Sequence, residues 1–352
     1  MNKELLELYS DYLLSSFGAT TATGLSAVLE GEVSHDRITR FLSGDVYDSK
    51  ALWRLVKPMV REIERDDGAL IFDDTIVEKP HTDENEVVTW HFDHSKNRSV
   101  KGINLLNCVY HAGGVSLPVS YELIRKPVVF TDRDTGLRKR RSEVSKNELM
   151  RRMLRVCENN GLRYRYVLAD SWFSSKENME FIHRKLKRHF VIALKSNRTA
   201  TLSYESKLKG GFERIDELEL PEGEPVRGWL RGLDFPVLLY RQVFKNKDGS
   251  SGTLYLASSE LDAVGDAICA IYQKRWKVET FHKTLKSNAA LAKSPTKTVR
   301  TQSNHCFMSI YSACRLEWLS VRHGMNHFAL RTQIYLKAIR YAFDELQLLK
   351  AA

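Results

Sequence analysis

Closely spaced cysteine pairs are missing from this sequence. Its five cysteines, Cys108, Cys157, Cys269, Cys306 and Cys314, are odd in number and far apart, with no CxxC pair. That argues against a disulfide framework or a zinc module and for a reducing cytoplasm. No apolar run is long enough to span a bilayer and no lipid-anchor motif occurs, so a membrane is not an expected partner. The opening MNKELLELYSDYLL carries acids and lacks a signal-like apolar core, so export is not expected. No internal repeat or low-complexity stretch is evident. One segment is also short of negative charge. Between residues 271 and 300, Lys274, Arg275, Lys277, Lys283 and Lys286, followed by Lys293, Lys297 and Arg300, face Glu279 alone.

What is present describes a globular protein. The 352 residues are 43% hydrophobic and 28% charged, ample for a sizeable core and for two or three domains. Net charge is +10, and a second basic cluster, RKPVVFTDRDTGLRKRR, spans 125–141. Clustered cations gain affinity by releasing counterions from a phosphate backbone, so a polyanionic partner is the simplest explanation.

Residues 1–67 read as helical. An amphipathic segment through Leu13 precedes two short helices, Leu25–Leu29 and His35–Leu42, with Ser34 as an N-cap and Arg37 and Arg40 outward. Asp48 or Ser49 then caps a longer helix. The short pair reads equally as a helix-turn-helix entering a DNA groove or as part of a plain bundle. From residue 69 the pattern turns to strands. ALIFDDTIV is a buried strand, and INLLNCVYHAGGVSLPVSYELI is a hairpin about Gly113-Gly114. A helix over SEVSKNELMRRMLRVCENN, a strand YRYVLADSWFSS ending at Asp170, a helix KENMEFIHRKLKR and a strand HFVIALKSN complete a mixed α/β sheet. Residues 200–258 look like a small, mostly β insertion with NKDGSSG as a loop, and helices follow through 348.

The segment IYQKRWKVETFHKTLK, residues 271–286, reads as one helix. At about 100° per residue, Tyr272, Arg275, Glu279 and Lys286 form one narrow stripe beside an apolar stripe of Ile271, Val278, Phe281 and Leu285. By itself this is a surface helix whose lone acid pairs with Arg275 and Lys283. Two other acids end apolar strands: Asp73 or Asp74 after ALIF, and Asp170 after YVLA. Adjacent strands ending this way bring carboxylates together at a sheet rim. Each Asp read singly is a strand-end cap. Together with Glu279 they form an oxygen-only set suited to Mg²⁺.

DDT at 73–75, ADSWFSS at 169–175 and the spacing Tyr272, Arg275, Glu279, Lys286 together resemble a bacterial DDE transposase of the insertion-sequence-four type. The resemblance covers nearly the whole chain. It implies an RNase H-like α/β core interrupted by a β insertion, with a helical DNA-binding region before it and a helical tail after it. The implied boundaries are 1–67, 68–199, 200–258, 259–325 and 326–352. It implies Asp74, Asp170 and Glu279 as catalytic acids and ligands of two Mg²⁺ ions, for which Mn²⁺ can substitute. Asp73 is the minority choice for the first acid. Tyr272, Arg275 and Lys286 would hold transposon-end phosphates, with Lys283, Arg37 and Arg40 as further DNA contacts. Trp229 reads either as a core residue or as a base-stacking aromatic of the insertion. The implied partners are double-stranded DNA, as inverted-repeat ends and target, and a second subunit in a homodimer on DNA. The implied location is the bacterial cytoplasm, in association with the nucleoid, and the alternative readings are a structure-directed RNase H-like DNA nuclease and a non-catalytic domesticated DNA-binding protein. The segment WHFDH (Trp90, His91, Asp93, His94) is not expected to bind metal, because no matching distant ligand set accompanies it.

Overall fold

A computed structural model describes residues 2–245 and 248–351. Four helices open the chain: α1 (Lys3–Ser15), α2 (Ala22–Val28), α3 (His35–Ser43) and α4 (Ser49–Ile63). Their starts follow from side-chain caps that satisfy orphan amides. Thr21 Oγ1 accepts from Gly24 N at 2.8 Å, Ser34 Oγ from Arg37 N at 3.3 Å, and Asp48 Oδ1 from Ala51 N at 2.8 Å. Ser49 is thereby freed to bond Ser120.

The first half of the sheet comprises β1 (Ala69–Glu78), β2 (Val88–Asp93), β3 (Arg98–Ala112) and β4 (Val115–Leu123). A separate basic hairpin, β5 (Val128–Thr131) with β6 (Arg138–Arg141), follows. Then come α5 (Lys146–Asn159), β7 (Tyr166–Ala169), α6 (Lys176–Glu180) continued by a π-turn over Phe181–Lys185, and β8 (His189–Leu194). The order around the start of the sheet is β8-β7-β1-β3, with β3 sharing its far edge between β2 and β4. β1, β7 and β8 are parallel and β1, β3 and β4 antiparallel, a mixed sheet compatible with an RNase H-like fold. The β3–β4 turn has Gly113 at φ 56° and Gly114 at φ 86°, the left-handed pair a two-residue hairpin needs. The short β2 was not anticipated.

The segment 200–258 does not stand apart. β9 (Thr199–Thr201), α7 (Tyr204–Leu208), β10 (Glu213–Arg214), β11 (Val226–Leu230), β12 (Val237–Lys245) and β13 (Ser251–Ser258) extend the same sheet through the β13–β8 pairing. Asn246 and Lys247 of the expected loop lie outside the described residues. The chain ends in α8 (Gly265–Gln273), α9 (Trp276–Ser287), α10 (Val299–His323) and α11 (His327–Ala351).

The buried α10 carries the N-terminal helices, touching α1, α3 and α4. Asn304 Nδ2 donates to the carbonyls of Leu42 and Asp45 at 2.8 and 2.7 Å, and Tyr47 N donates to its Oδ1. Close backbone approach also matters beside the rim. Gly102 lies opposite Glu78, where a Cβ would sit 2.2 Å from Val77 O. Gly102→Ala is therefore expected to cost about 1–3 kcal/mol through forced strand displacement. Chemical denaturation would show it, and an unchanged midpoint would refute it.

Candidate active site

The parallel β1–β7 register sets Phe72 beside Ala169. One residue further on, both chains leave their apolar runs, and Asp73 stands next in line with Asp170. Asp73, Asp74 and Asp170 all line one cavity of about 620 Å³. Strand alternation therefore does not remove either β1 aspartate from the cavity, although it separates their partners. Asp74 Oδ2 accepts from Lys146 Nζ at 2.7 Å. Asp73 Oδ2 lies 3.7 Å from Arg275 Nη1, and its Oδ1 accepts the Asp74 N–H at 2.8 Å. Burial, then the neighbouring Asp170 charge, pushes the Asp73 carboxyl up to about 7. Burial also raises Asp170, whose Oδ1 accepts from Trp172 N at 3.0 Å and so caps the short turn after β7.

The 271–286 segment is not one uninterrupted α-helix. At Lys274 and Arg275 the backbone hydrogen bonds shorten to i→i+3, with Arg275 N donating to Tyr272 O at 2.8 Å, and the chain divides into α8 and α9. This tightening turns the single stripe expected of the segment into a local cluster. Arg275 is buried over the rings of Tyr272 and Trp276, at 5.6 and 4.9 Å. Its Nη2 donates to Glu279 Oε1 at 2.8 Å. Arg275 thus lies between Glu279 and Asp73, hydrogen-bonded to the first and in a looser ion pair with the second. Tyr272 is buried, which pushes its phenol up to about 12.

The expected acids are only partly gathered. Asp74 and Asp170 share the cavity, whereas Glu279, on α9, is not among its lining residues. Among the described residues no three His, Cys, Asp or Glu side chains converge closely enough to hold a metal ion. The Arg275 guanidinium stands between Glu279 and Asp73, and Asp74 is paired with Lys146 instead. The donors on the cavity floor are still hard carboxylate oxygens, a set that fits a divalent cation such as Mg²⁺. His91 also lines the cavity but is buried and bonded to Thr89 Oγ1 at 3.0 Å.

Of the expected DNA contacts, Lys286 lines the cavity together with Lys126 and Lys146. Lys283 points elsewhere, over the Phe328 ring at 4.8 Å. Arg37 and Arg40 are exposed on α3, with Arg37 3.4 Å from Glu4. Trp229 is half-buried against Tyr204, 5.6 Å between rings. The aromatic that sequence reasoning passed over is Trp172. It is 46% exposed, lines the cavity, and carries Lys146 and Lys195 each 5.4 Å from its ring centre. Its position two residues after Asp170 was the available signal, but its exposure is a tertiary property.

Residues 2–209, more than half of the chain, match the family model described as DDE superfamily endonuclease, and the chain belongs to that family. The matched segment contains Asp73, Asp74 and Asp170 and ends before α9. No curated protein matches the chain. A DDE endonuclease acts on DNA, in a transposase or nuclease role, and members of the superfamily typically use divalent metals. Among the described residues no helix is long and apolar enough to cross a membrane.

Proposed function

We propose that the protein is a DNA transposase of the insertion-sequence-four type. It binds the inverted-repeat ends of its own element, cleaves there and joins the freed 3′-hydroxyl to target DNA, in a cut-and-paste cycle. The observation that carries this reading is the set of aspartates lining one cavity where β7 ends beside the middle of β1, together with Lys126, Lys146 and Lys286. Acids that repel phosphate have no use in a pure DNA binder.

Asp170, one β1 aspartate and Glu279 would hold the divalent ions. The motif order favours Asp74 for the β1 position, whereas the strand register and the Arg275 bridge to Glu279 favour Asp73. Bound ions supply activation of a water or 3′-hydroxyl and charge stabilisation during in-line phosphodiester displacement. The chain's own cations do the positioning. Lys146 and Lys286 offer point charges to phosphate oxygens, and Arg275, once released from the carboxylates, offers a bidentate fork. The basic β5–β6 hairpin follows directly on Lys126 of the cavity wall and extends the phosphate track. Arg37, Arg40 and Lys283 serve as more distant end contacts. Two ends held together require two copies on DNA.

The deciding experiment incubates a labelled 3′-hydroxyl end with supercoiled plasmid and Mg²⁺. Covalent transfer of label is expected. Cleavage without transfer would leave the structure-directed nuclease instead. Trp172, held between two lysines, stacks on an unpaired base at the cut. Trp172→Ala is therefore expected to weaken binding of frayed ends by about tenfold, within the range for one stacked base. A 2-aminopurine probe at the cut, quenched equally by both proteins, would refute the stacking role.

A further inference from the structure

The acids of the cavity and of α9 are already matched by cations of the chain itself. Lys146 Nζ donates to Asp74 Oδ2 at 2.7 Å. Arg275 Nη2 donates to Glu279 Oε1 at 2.8 Å, while its Nη1 stands 3.7 Å from Asp73 Oδ2. Lys146, Asp73 and Asp74 are half-buried and Arg275 is buried, so salt screens these pairs less than it screens exposed ones. The same carboxylates are the ones a divalent cation would use. An ion entering beside Lys146 and Arg275 would meet like charges within a few ångströms.

Neither cation is well placed where it stands. Lys146 is the first residue of α5, where the positive end of the helix dipole disfavours an ammonium. Arg275 Nε is buried without a hydrogen-bond partner, which buried donors ordinarily avoid. A DNA phosphate suits both better. Ser145, Lys146 and Asn147, the start of α5, line the cavity, and the N-terminus of a helix beside a lysine favours an anion. A guanidinium grips two phosphate oxygens at once, a contact that its 3.7 Å separation from Asp73 does not supply.

We propose that Lys146 and Arg275 are built-in counter-ions that keep the carboxylates closed to metal, and that DNA phosphate opens the site by drawing them away. Metal loading is thereby coupled to DNA binding, and by reciprocity metal tightens DNA binding by the same factor. The inference rests on the reading of these acids as metal ligands and is independent of strand joining.

The probe is Mn²⁺, whose free aqua ion is counted by electron paramagnetic resonance on the full-length protein without turnover. A bound short duplex, its own Mn²⁺ uptake subtracted, is expected to tighten Mn²⁺ binding by the wild type about tenfold, a usual size for coupled sites. Lys146→Met removes the charge and keeps the stem. Without DNA it is expected to bind Mn²⁺ about tenfold more tightly than the wild type does, and to lose most of the further tightening by DNA. Lys146→Gln serves as a second neutral variant, and Lys146→Arg, which keeps the charge, should behave as wild type. Lys286 lines the same cavity but faces Asp93 and Glu78, so Lys286→Met should change Mn²⁺ affinity far less. Adding Asp170→Asn to Lys146→Met should remove the gain, which places the ion at the aspartates. A merely structural role for Lys146 predicts weaker binding, not tighter. Neutral variants at 146 that fold by circular dichroism and gain no Mn²⁺ affinity overturn the proposal, as does an equal gain in Lys286→Met. A gain in a protein that cuts without joining keeps the counter-ions and removes only the transposase reading. No gain in a protein that joins strands removes only the counter-ions.

Discussion

Asp170→Asn is expected to reduce strand cleavage and joining by at least about 10³-fold, roughly 4 kcal/mol of lost transition-state stabilisation. The substitution is chosen because it keeps the fold. The amide Oδ1 can still accept the Trp172 N–H that caps the turn after β7, so the rim keeps its shape while losing its charge. DNA binding without metal should be retained or become tighter, since one phosphate-repelling carboxylate is gone. Cleavage within tenfold of wild type would remove Asp170 from the chemistry. The same assay on Asp73→Asn and Asp74→Asn chooses the β1 ligand. The one nearer to Glu279 through Arg275 is Asp73, and the one tied to Lys146 is Asp74. Glu279→Gln belongs in the same series. It should reduce cleavage comparably if Glu279 reaches the floor once Arg275 moves.

A steep loss of stability between pH 6.5 and 5 is the second expectation. Burial holds His91 and His282 down to about 3 and His111 and His305 down to about 4. Their hydrogen bonds agree with neutral rings. Asn107 Nδ2 donates to His282 Nε2 at 3.0 Å, so that nitrogen must accept. In His305, Nε2 faces the Ala290 carbonyl at 3.1 Å and must donate, leaving Nδ1 to accept from the Tyr9 hydroxyl. In the unfolded chain each histidine takes a proton near its ordinary value of about 6.5. Each therefore contributes stability that is complete above that pH and is lost as pH falls toward the folded value, about 2 kcal/mol apiece by pH 5. The carboxyls of Asp73, raised to about 7, and of Asp170 and Glu122, also raised by burial, work in the opposite direction and offset part of the loss. Denaturant midpoints measured across this window should fall steeply on acidification. His282→Gln, whose side-chain oxygen can still accept from Asn107, should reduce the slope by about one proton. A flat profile from pH 7 to 5 would contradict the burial of these rings.

Much of the candidate site was legible in local pattern. Apolar runs ended by aspartate marked β1 and β7, capping side chains marked the starts of α3 and α4, and Gly113-Gly114 marked the hairpin. The four-residue spacing from Arg275 to Glu279 survives as a hydrogen-bonded pair because both lie within one helical turn of each other. These features depend on contacts between near neighbours in the chain, which the residues themselves dictate.

The tertiary structure decided the rest. Only the β1–β7 register could bring Asp73, Asp74 and Asp170 into one cavity, because pairing across nearly a hundred residues depends on which faces the packed core buries. The tightening at Lys274 and Arg275 placed a guanidinium between Glu279 and Asp73, and no periodicity signals such a change of helical pitch. The strands of 200–258 joined the sheet because β8 offered them an open edge. Trp172 and α11 owe their exposure to what fails to pack against them, and that is set by the whole fold and not by any neighbour in sequence.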